Sequence, residues 1–376
     1  MPPVAPRKPA RDCHRAAGPR VPSGPMAGIG DQWSALWPAL AFLLAGVPLA
    51  ALLDRLGFFE AAAARIVGSG GDHPVAALWV FAALTTAVLN LDTTVVLLTP
   101  LYLRLARRAG VDPLPVVAVP LLLASLTSSV LPVSNLTNLI VVEQVHAGVG
   151  DFVTHLALPS VVASTIGWLA YRRRFPTRLT LPAGPGPDLR ALRRGGVVVA
   201  LLLVGFVAGP TVGIAPWLVA LVADAVLVVM ARHVPWRDVP LATAAGVAVL
   251  GAVVAFIAPT DALHRLVAHD TPLAVVGIAG LGGVVANVVN NLPALLAVTD
   301  GLHHASWGVW AWLLGLNTAA VLLPVGALAN LLWLRLLRAE GVSVGVVRYV
   351  RTTVPVALPA FVAAAATLAL ERVIAG

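Results

Sequence analysis

The chain has 376 residues, of which 59% are hydrophobic and only 11% are charged. Soluble domains carry about 25% charged residues, so the composition excludes a soluble globular protein and predicts an all-α polytopic membrane protein. The formal charge is +8, but the basic residues lie in short loops between apolar spans, which does not favour nucleic-acid binding. The single cysteine, Cys13, excludes a disulfide framework and a cysteine-based metal site.

The amino-terminal segment, residues 1–32, is rich in Pro, Arg and Gly and contains no apolar run. This composition predicts a disordered basic tail. Met26 lies just before the first apolar span. It is a candidate start of the protein, in which case residues 1–25 would not be translated.

Six apolar segments approach the length of about 20 residues that a single transmembrane helix needs. They cover residues 34–53, 152–171, 197–213, 214–231, 240–258 and 352–373. Two longer segments, 74–105 and 272–300, are interrupted by polar residues near the middle, and we predict that they form re-entrant hairpins. Residues 114–145 and 306–335 are also interrupted, and we predict that they cross as broken helices.

The polar interruptions occur in pairs. Residues 132–140 reappear as residues 324–332, with five of the nine positions identical. A second polar stretch precedes each copy, at 90–94 and at 287–291. Paired, interrupted apolar segments in corresponding halves point to the binding site of a secondary transporter.

The distribution of arginine orients the chain. The loop 172–194 carries seven Arg, which places it in the cytoplasm. With both hairpins re-entrant, the other Arg-rich loops are also cytoplasmic, and the predicted outer loops hold only Arg265. We therefore predict a first inverted repeat at 33–172, a cytoplasmic Arg-rich linker at 173–196 and a second inverted repeat at 197–376.

The four interruptions should meet near the midplane, because non-helical backbone at membrane depth must be buried in protein or face a water-filled cavity. Helix N-termini there favour an anion or an oxygen-rich solute. Hydroxyl and amide side chains can donate hydrogen bonds to a solute or coordinate a cation. The candidate substrate- or ion-binding residues are Asn90, Asp92, Thr93, Thr94, Ser134, Asn135, Thr137, Asn138, Asn287, Asn290, Asn291, Asn317 and Asn330.

Asp92 is the candidate proton or cation carrier. A carboxylate at the bilayer centre costs roughly 2.5–3.5 kcal/mol, so it should be paired, solvated or protonated. The alternative is that Asp92 caps a half-helix that starts at Thr93; for the asparagines the alternatives are capping and interhelical hydrogen bonding. Asp224, in the middle of its span, is either a second proton site or a structural residue.

Five segments in chain order carry a family resemblance. They are residues 53–60, 91–100, 133–139, 289–293 and 324–333. Together they resemble the arsenite/antimonite efflux permeases of the ion transporter superfamily, which also includes citrate and dicarboxylate carriers and some sodium/proton antiporters. The resemblance implies an inverted-repeat fold with two re-entrant hairpins and two broken transmembrane helices, in agreement with the topology predicted from charge.

The resemblance also implies a function and partners. Family members export trivalent arsenic or antimony across the cell membrane as neutral hydroxides, driven by proton exchange or membrane potential. The implied partners are the lipid bilayer, a small inorganic solute and a coupling ion (proton or sodium). A soluble ATPase and a second copy of the chain in a homodimer are further candidate partners. We expect no enzymatic activity, no cofactor, no metal site and no nucleic-acid partner.

Two alternatives stay open at this point. One is an organic-anion carrier or a sodium/proton carrier, and the other, from a different class, is a membrane scaffold without transport activity. The two copies of the repeated motif are also unequal, because Ala327 and Ala329 stand where the first copy has Asn135 and Thr137. This difference predicts that the first copy and Asp92 carry most of the chemistry.

Overall fold

A computed structural model describes residues 25–69, 74–175, 186–257, 260–299, 302 and 304–376. Within these residues the chain forms sixteen α-helices and four short 3₁₀ turns. The first seven helices are α1 (Pro25–Arg55), α2 (Phe58–Ser69), α3 (Pro74–Leu89), α4 (Leu91–Arg108), α5 (Pro113–Leu126), α6 (Leu136–Val145) and α7 (Val149–Arg174). The other nine are α8 (Leu189–Ala208), α9 (Pro216–Ala231), α10 (Leu241–Ile257), α11 (Thr260–Val267), α12 (Pro272–Val289), α13 (Asn291–Thr299), α14 (Trp307–Thr318), α15 (Leu328–Ala339) and α16 (Val346–Ile374). The predicted all-α class is confirmed.

Six helical segments of the described residues are long and apolar enough to cross a membrane. Five of them coincide in whole or in part with α1, α7, α8, α10 and α16, which correspond to spans predicted from the sequence. The sixth is α12, but the chain reverses at its end, so its length alone does not make it a crossing helix. The remaining predicted span is α9, which is shorter, with 16 residues.

The predicted amino-terminal tail is wrong in its last part. Helix α1 begins at Pro25, so residues 25–32 are helical. Proline at the first position of a helix costs little, because its missing N–H would have no intrahelical partner there. Residues 1–24 of the predicted tail and residues 176–185 of the predicted linker lie outside the described residues.

Hairpin 1 consists of α3 and α4, joined at Asn90. This residue has φ 83° and ψ 168°, a backbone region that is nearly confined to glycine and costs about 1–3 kcal/mol. The Asn90 Oδ1 accepts a hydrogen bond from the Thr93 N–H at 3.0 Å and caps α4. Further from the tip, Tyr102 donates to the Leu78 carbonyl at 2.6 Å. The two arms therefore run antiparallel, and α4 returns to the side from which α3 started.

Hairpin 2 consists of α12 and α13, joined at Asn290. Asn290 has φ 82° and ψ 151°, close to the values of Asn90, and its Oδ1 accepts from the Leu292 N–H at 3.3 Å. The end of α13 lies beside the helix that precedes the hairpin, since His264 Nε2 is 2.9 Å from the Val298 carbonyl oxygen. The chain therefore enters and leaves hairpin 2 on the same side.

The two broken helices have equivalent internal braces. Break 1 (residues 127–135) separates α5 from α6, and break 2 (residues 319–327) separates α14 from α15. The side-chain amides of Asn138 and Asn330 each donate to the carbonyls ten and seven residues earlier, at 2.6 and 3.0 Å for Asn138 and at 2.8 and 3.0 Å for Asn330. The sequence repeat is thus also a repeat of hydrogen bonding, and it gives non-helical carbonyls a partner inside the bundle.

The loops separate into two groups at opposite ends of the bundle. At one end Arg107, near the end of α4, pairs with Glu340 at 2.8 Å, and Arg348 lies 3.7 Å from Asp112. At the other end an ion pair at 3.2 Å joins Asp270, just before α12, to Arg372 near the end of α16.

The positive-inside rule predicts that the arginine-rich end is cytoplasmic. Hairpin 1 opens toward this end, because Arg107 lies at the end of its second arm. Hairpin 2 opens toward the other end, because its first arm follows directly after Asp270. The predicted inverted-repeat fold, with two re-entrant hairpins and two broken helices, is confirmed.

Hairpin 2 is anchored by close backbone packing between α12 and α14. A Cβ atom added at Gly282 would lie 2.9 Å from the Trp312 carbonyl oxygen, and one at Gly315 would collide with the Ala279 carbonyl. Small residues allow helices in a membrane to approach this closely. The tip of hairpin 2 is therefore held at a fixed depth.

The hairpin topology predicts which side each flanking residue faces. In a Cys13→Ser background, Glu60→Cys and Val111→Cys flank hairpin 1, and both are expected to react with a membrane-impermeant maleimide only from the cytoplasmic face. His269→Cys and Ala305→Cys flank hairpin 2 and should react only from the outer face. Right-side-out and everted vesicles distinguish the two faces. Labelling of the two members of a pair from opposite faces would mean that the hairpin crosses the membrane.

Candidate functional site

Four helices begin at one small cavity. The cavity has a volume of about 50 Å³, room for a few water-sized groups. Its walls include the first residues of α4, α6, α13 and α15, and its sides are closed by α1 and α10. The lining residues are Leu43, Leu91, Asp92, Asn135, Leu136, Thr137, Thr243, Val247, Asn290, Asn291, Leu292 and Leu328. Because each helix N-terminus carries about half a positive charge, the cavity combines a positive potential with a lining in which no described residue is basic.

Three of the four helix starts are capped by asparagine, and the fourth is not capped. Asn90 and Asn290 cap α4 and α13, and the Asn135 Oδ1 accepts from the Thr137 N–H at 3.2 Å at the start of α6. At the start of α15 the equivalent position is Ala327, and no side chain caps the helix. The first N–H groups of a helix have no intrahelical partner. The N-terminus of α15 therefore offers a solute free donors at the cavity.

Asp92 lies in the first turn of α4 and lines the cavity. Its Oδ1 is buried and has no hydrogen-bond partner among the described residues. The alternative in which Asp92 caps the half-helix is wrong, because α4 begins at Leu91 and Asn90 is its cap. The carboxylate is therefore free of a structural bond and sits where the surrounding N-termini favour negative charge.

Asn317, near the end of α14, joins break 1 to the second half of the chain. Its Oδ1 accepts from the Asn135 Nδ2 and the Thr137 Oγ1, both at 2.8 Å. Its Nδ2 donates to the Ser129 Oγ at 2.9 Å and to the Asn138 Oδ1 at 2.7 Å. The residue is 1% exposed, and its amide makes two accepted and two donated bonds. Asn317 thus fixes the positions of two lining side chains without lining the cavity itself.

The two halves use different residues to tie each hairpin to its break. In the first half Ser134, in break 1, donates to the Ala87 carbonyl of α3 at 2.9 Å and accepts from the Leu131 N–H at 3.2 Å. In the second half the polar group comes from the hairpin. Asn287 of α12 accepts from the Leu323 N–H at 2.8 Å and donates to the carbonyl of Ala319, in break 2, at 2.8 Å.

Gly326 occupies the position in the second copy that Ser134 occupies in the first. A Cβ atom at Gly326 would lie 2.8 Å from the Asn287 Oδ1 and would collide with the Ala320 carbonyl. Glycine is therefore needed here because the asparagine side chain fills the space. The low polarity of the second copy is compensated by a residue of the neighbouring hairpin.

The tip of hairpin 2 is also bonded directly to break 2. The Asn290 Nδ2 donates to the Val325 carbonyl at 2.9 Å, and the Asn291 N–H donates to the Gly326 carbonyl at 2.9 Å. In hairpin 1 the Thr94 Oγ1 donates to the carbonyl of Asn90, within the tip, at 2.8 Å. These bonds hold the tips in the strained conformations of the two asparagines.

The predicted site residues thus fall into two groups. The cavity is lined by Asp92, Asn135, Thr137, Asn290 and Asn291. The rest lie outside its lining and support the tips and breaks: Asn90, Thr93, Thr94, Ser134, Asn138, Asn287, Asn317 and Asn330. Thr243 of α10 also lines the cavity. It was not predicted, because a single threonine in an uninterrupted apolar span carries no signal.

Broken helices and re-entrant hairpins whose N-termini meet at one cavity define a membrane transporter. Known proteins agree with this class. A family model described as Citrate transporter matches residues 25–326, and the chain belongs to this family. Arsenical pump membrane proteins of Yersinia enterocolitica and Escherichia coli are both 27% identical to it, over 91% and 92% of this chain and 89% of each relative. The protein is a multi-pass membrane transporter of this type.

Two further proteins are similar over most of the chain. An uncharacterized transporter of Mycobacterium tuberculosis is 25% identical, over 86% of this chain and 85% of its own length. The crystal structure of the Alcanivorax borkumensis YdaH transporter has a TM-score of 0.59 at 16% identity, and the match covers 92% of this chain and 87% of that one. The second likeness supports the fold.

The Asn317 network predicts a difference between two adjacent residues. Asn317→Ala removes four buried hydrogen bonds, which at about 0.6 kcal/mol for each interhelical bond should lower stability by roughly 2 kcal/mol. Thr318→Val removes a buried hydroxyl that has no partner among the described residues, so it should be neutral or slightly stabilising. Thermal unfolding of the purified proteins measures both. Equal midpoints for the two variants would contradict the assigned role of Asn317.

Proposed function

We propose that the protein is a secondary carrier that exports arsenite and antimonite as neutral hydroxides. The observation that carries this proposal is the cavity, which combines helix N-termini, hydroxyls and amides with one carboxylate and has no basic residue among its described lining. A neutral trihydroxide requires hydrogen-bond donors and acceptors but no opposite charge. The similarity to arsenical pump membrane proteins supports the same substrate class.

The proposed contacts follow from the groups that are still free. The uncapped N–H groups of α15 donate to the solute's oxygens, and the hydroxyl of Thr243 and the side chain of Asn291 both donate and accept. The only cysteine of the chain is Cys13, and the described lining of the cavity contains no thiolate. Oxygen and nitrogen ligands bind such a solute weakly, and a transported solute must be released as readily as it is bound.

We assign the coupling step to Asp92. The carboxyl group has no structural bond to maintain, so it can take up a proton at one face and release it at the other. Exchange of one proton for one neutral solute moves one positive charge inward for each solute exported. Membrane potential then contributes about 2.3 kcal/mol per 100 mV for each charge moved. Proton exchange and membrane potential are therefore two parts of a single driving force.

A second candidate is an organic-anion carrier, which the match to the citrate transporter model favours. Carboxylate recognition usually relies on Arg, whose guanidinium group forms paired hydrogen bonds with the two carboxylate oxygens. The described lining of the cavity contains no such residue and already holds the negative charge of Asp92. We therefore favour the neutral solute. A soluble ATPase partner and a homodimer stay predictions.

Transport into everted vesicles tests the proposal. A gradient of one pH unit stores about 1.4 kcal/mol per proton, which corresponds to about tenfold accumulation of the solute. With an acidic lumen, wild-type vesicles are expected to accumulate arsenite by about this factor. The variant Asp92→Asn should lose the dependence on the pH gradient. The control, Asp224→Asn, removes another membrane carboxylate that does not line the cavity, and it should retain the dependence.

Each part of the vesicle experiment has a result that would contradict the proposal. Accumulation of citrate in preference to arsenite would favour the second candidate and overturn the first. An unchanged response to pH in Asp92→Asn, or its loss in Asp224→Asn, would show that the proton is carried elsewhere. The same accumulation could also be measured with a sodium gradient at equal pH on both sides. If it occurred, the coupling ion would be sodium and not the proton.

A further inference from the structure

A second and larger cavity lies at the cytoplasmic end of the bundle. It has a volume of about 460 Å³ and is formed by the ends of α3, α5, α7 and α16. Its polar wall contains Arg174, Arg348, Arg351 and Asp112. Cavities of 300–1,000 Å³ are typical of sites that bind small molecules. None of the residues of this cavity lines the transport cavity.

The charges in this cavity are not balanced by the protein. Asp112 accepts a hydrogen bond from the Leu114 N–H at 3.1 Å and caps α5, and it lies 3.7 Å from Arg348. Among the described residues, Arg174 and Arg351 have no carboxylate within 4.0 Å. Three guanidinium groups therefore face one carboxylate that is already in use.

The start of α16 increases this excess of positive charge. The preceding residue, Gly345, has no side chain to cap the helix, and the first turn of α16 contains no acidic residue. Arg348 and Arg351 instead place two positive charges near the positive end of a helix of 29 residues. Cations are unfavourable at this end, whereas an anion is favoured there. An anion in the cavity would remove this conflict.

The other wall of the cavity is apolar. It includes Val75, Leu114, Val116 and Phe175, and the Arg174 guanidinium lies over the Phe175 ring at 5.4 Å from its centroid. A free inorganic anion would leave this wall exposed to water. A phospholipid places its phosphate next to apolar chains, and basic pockets between transmembrane helices on the cytoplasmic side bind anionic lipid head groups.

We propose that this cavity binds the head group of an anionic phospholipid, such as phosphatidylglycerol. The phosphate bridges Arg174 of α7 and Arg351 of α16, and the first acyl carbons cover the apolar wall. These two helices pack against each other along their lengths and come from opposite halves of the chain. The bound lipid therefore links the two halves at the cytoplasmic surface and stabilises their contact.

Two double variants of the full chain test the proposal. Arg174→Gln with Arg351→Gln removes the two unpaired charges from the cavity. Arg172→Gln with Arg173→Gln removes two charges from the same end of α7, but neither residue lines the cavity. The probe is phosphatidylglycerol added to the purified proteins in phosphatidylcholine nanodiscs, with native mass spectrometry and the thermal midpoint as readouts. We expect the wild type and the control to retain the lipid and to be stabilised by it, and the cavity variant to bind it at least about tenfold more weakly.

Equal loss of binding in both variants would overturn the proposal, because general attraction of the basic surface would then be sufficient. Full stabilisation by inorganic phosphate alone would also overturn it, since the site would then take a free anion. The wild type provides a measurement that does not depend on the folding of a variant. Photoactivatable phosphatidylglycerol should cross-link to the peptides that contain Arg174 and Arg351, and cross-links confined to other peptides would contradict the assignment.

Discussion

The backbone at membrane depth must have all its polar groups satisfied, and this chain breaks its helices there four times. Two breaks are reversals at asparagines held in a backbone region that is nearly confined to glycine, at Asn90 and Asn290. The other two are braced by the amides of Asn138 and Asn330. Such breaks are tolerated only where protein or an aqueous cavity replaces the missing partners. The convergence of four helix N-termini follows from this constraint, because those ends carry the N–H groups that remain to be satisfied.

The two inverted halves reach the same geometry with different residues. In the first half the bonding side chain, Ser134, belongs to the break, and it bonds to hairpin 1. In the second half the bonding side chain, Asn287, belongs to hairpin 2, and it bonds to the break. Asparagine caps α4, α6 and α13, but the position before α15 is Ala327. The two halves therefore have similar backbones but different side chains at the cavity. The first half contributes the carboxylate of Asp92, and the second half contributes the uncapped N-terminus of α15. In the function that we propose, the matched backbones form the transport path and the single carboxylate, Asp92, carries the proton.

The sequence predicts the fold well, because the bilayer restricts three features that can be read directly from it. These are the length of the apolar segments, the paired polar interruptions and the distribution of arginine between the loops. It predicts only part of the site. Asn317 has the same polar chemistry as the lining asparagines, and only the structure shows that its amide is fully used by break 1. When the two motif copies are aligned, Gly326 stands where the first copy has the hydroxyl of Ser134, so the second copy looks less polar. The structure shows that the side chain of Asn287, from α12, occupies the space beside Gly326 and makes the hydrogen bonds to break 2. Thr243 cannot be found from a span that looks uniformly apolar. Residues 25–32 were predicted as tail because they lack apolar length, yet they extend α1.

We propose above all that the solute binds where the four helices begin, next to Asp92. Antimony scatters X-rays anomalously, so a crystal structure of the protein grown with antimonite locates it directly. We expect one dominant anomalous peak in this cavity. The peak should lie where the oxygens of the bound hydroxide can accept hydrogen bonds from the N-terminus of α15. A dominant peak elsewhere in the bundle, or an empty cavity at a concentration of antimonite that saturates transport, would contradict it.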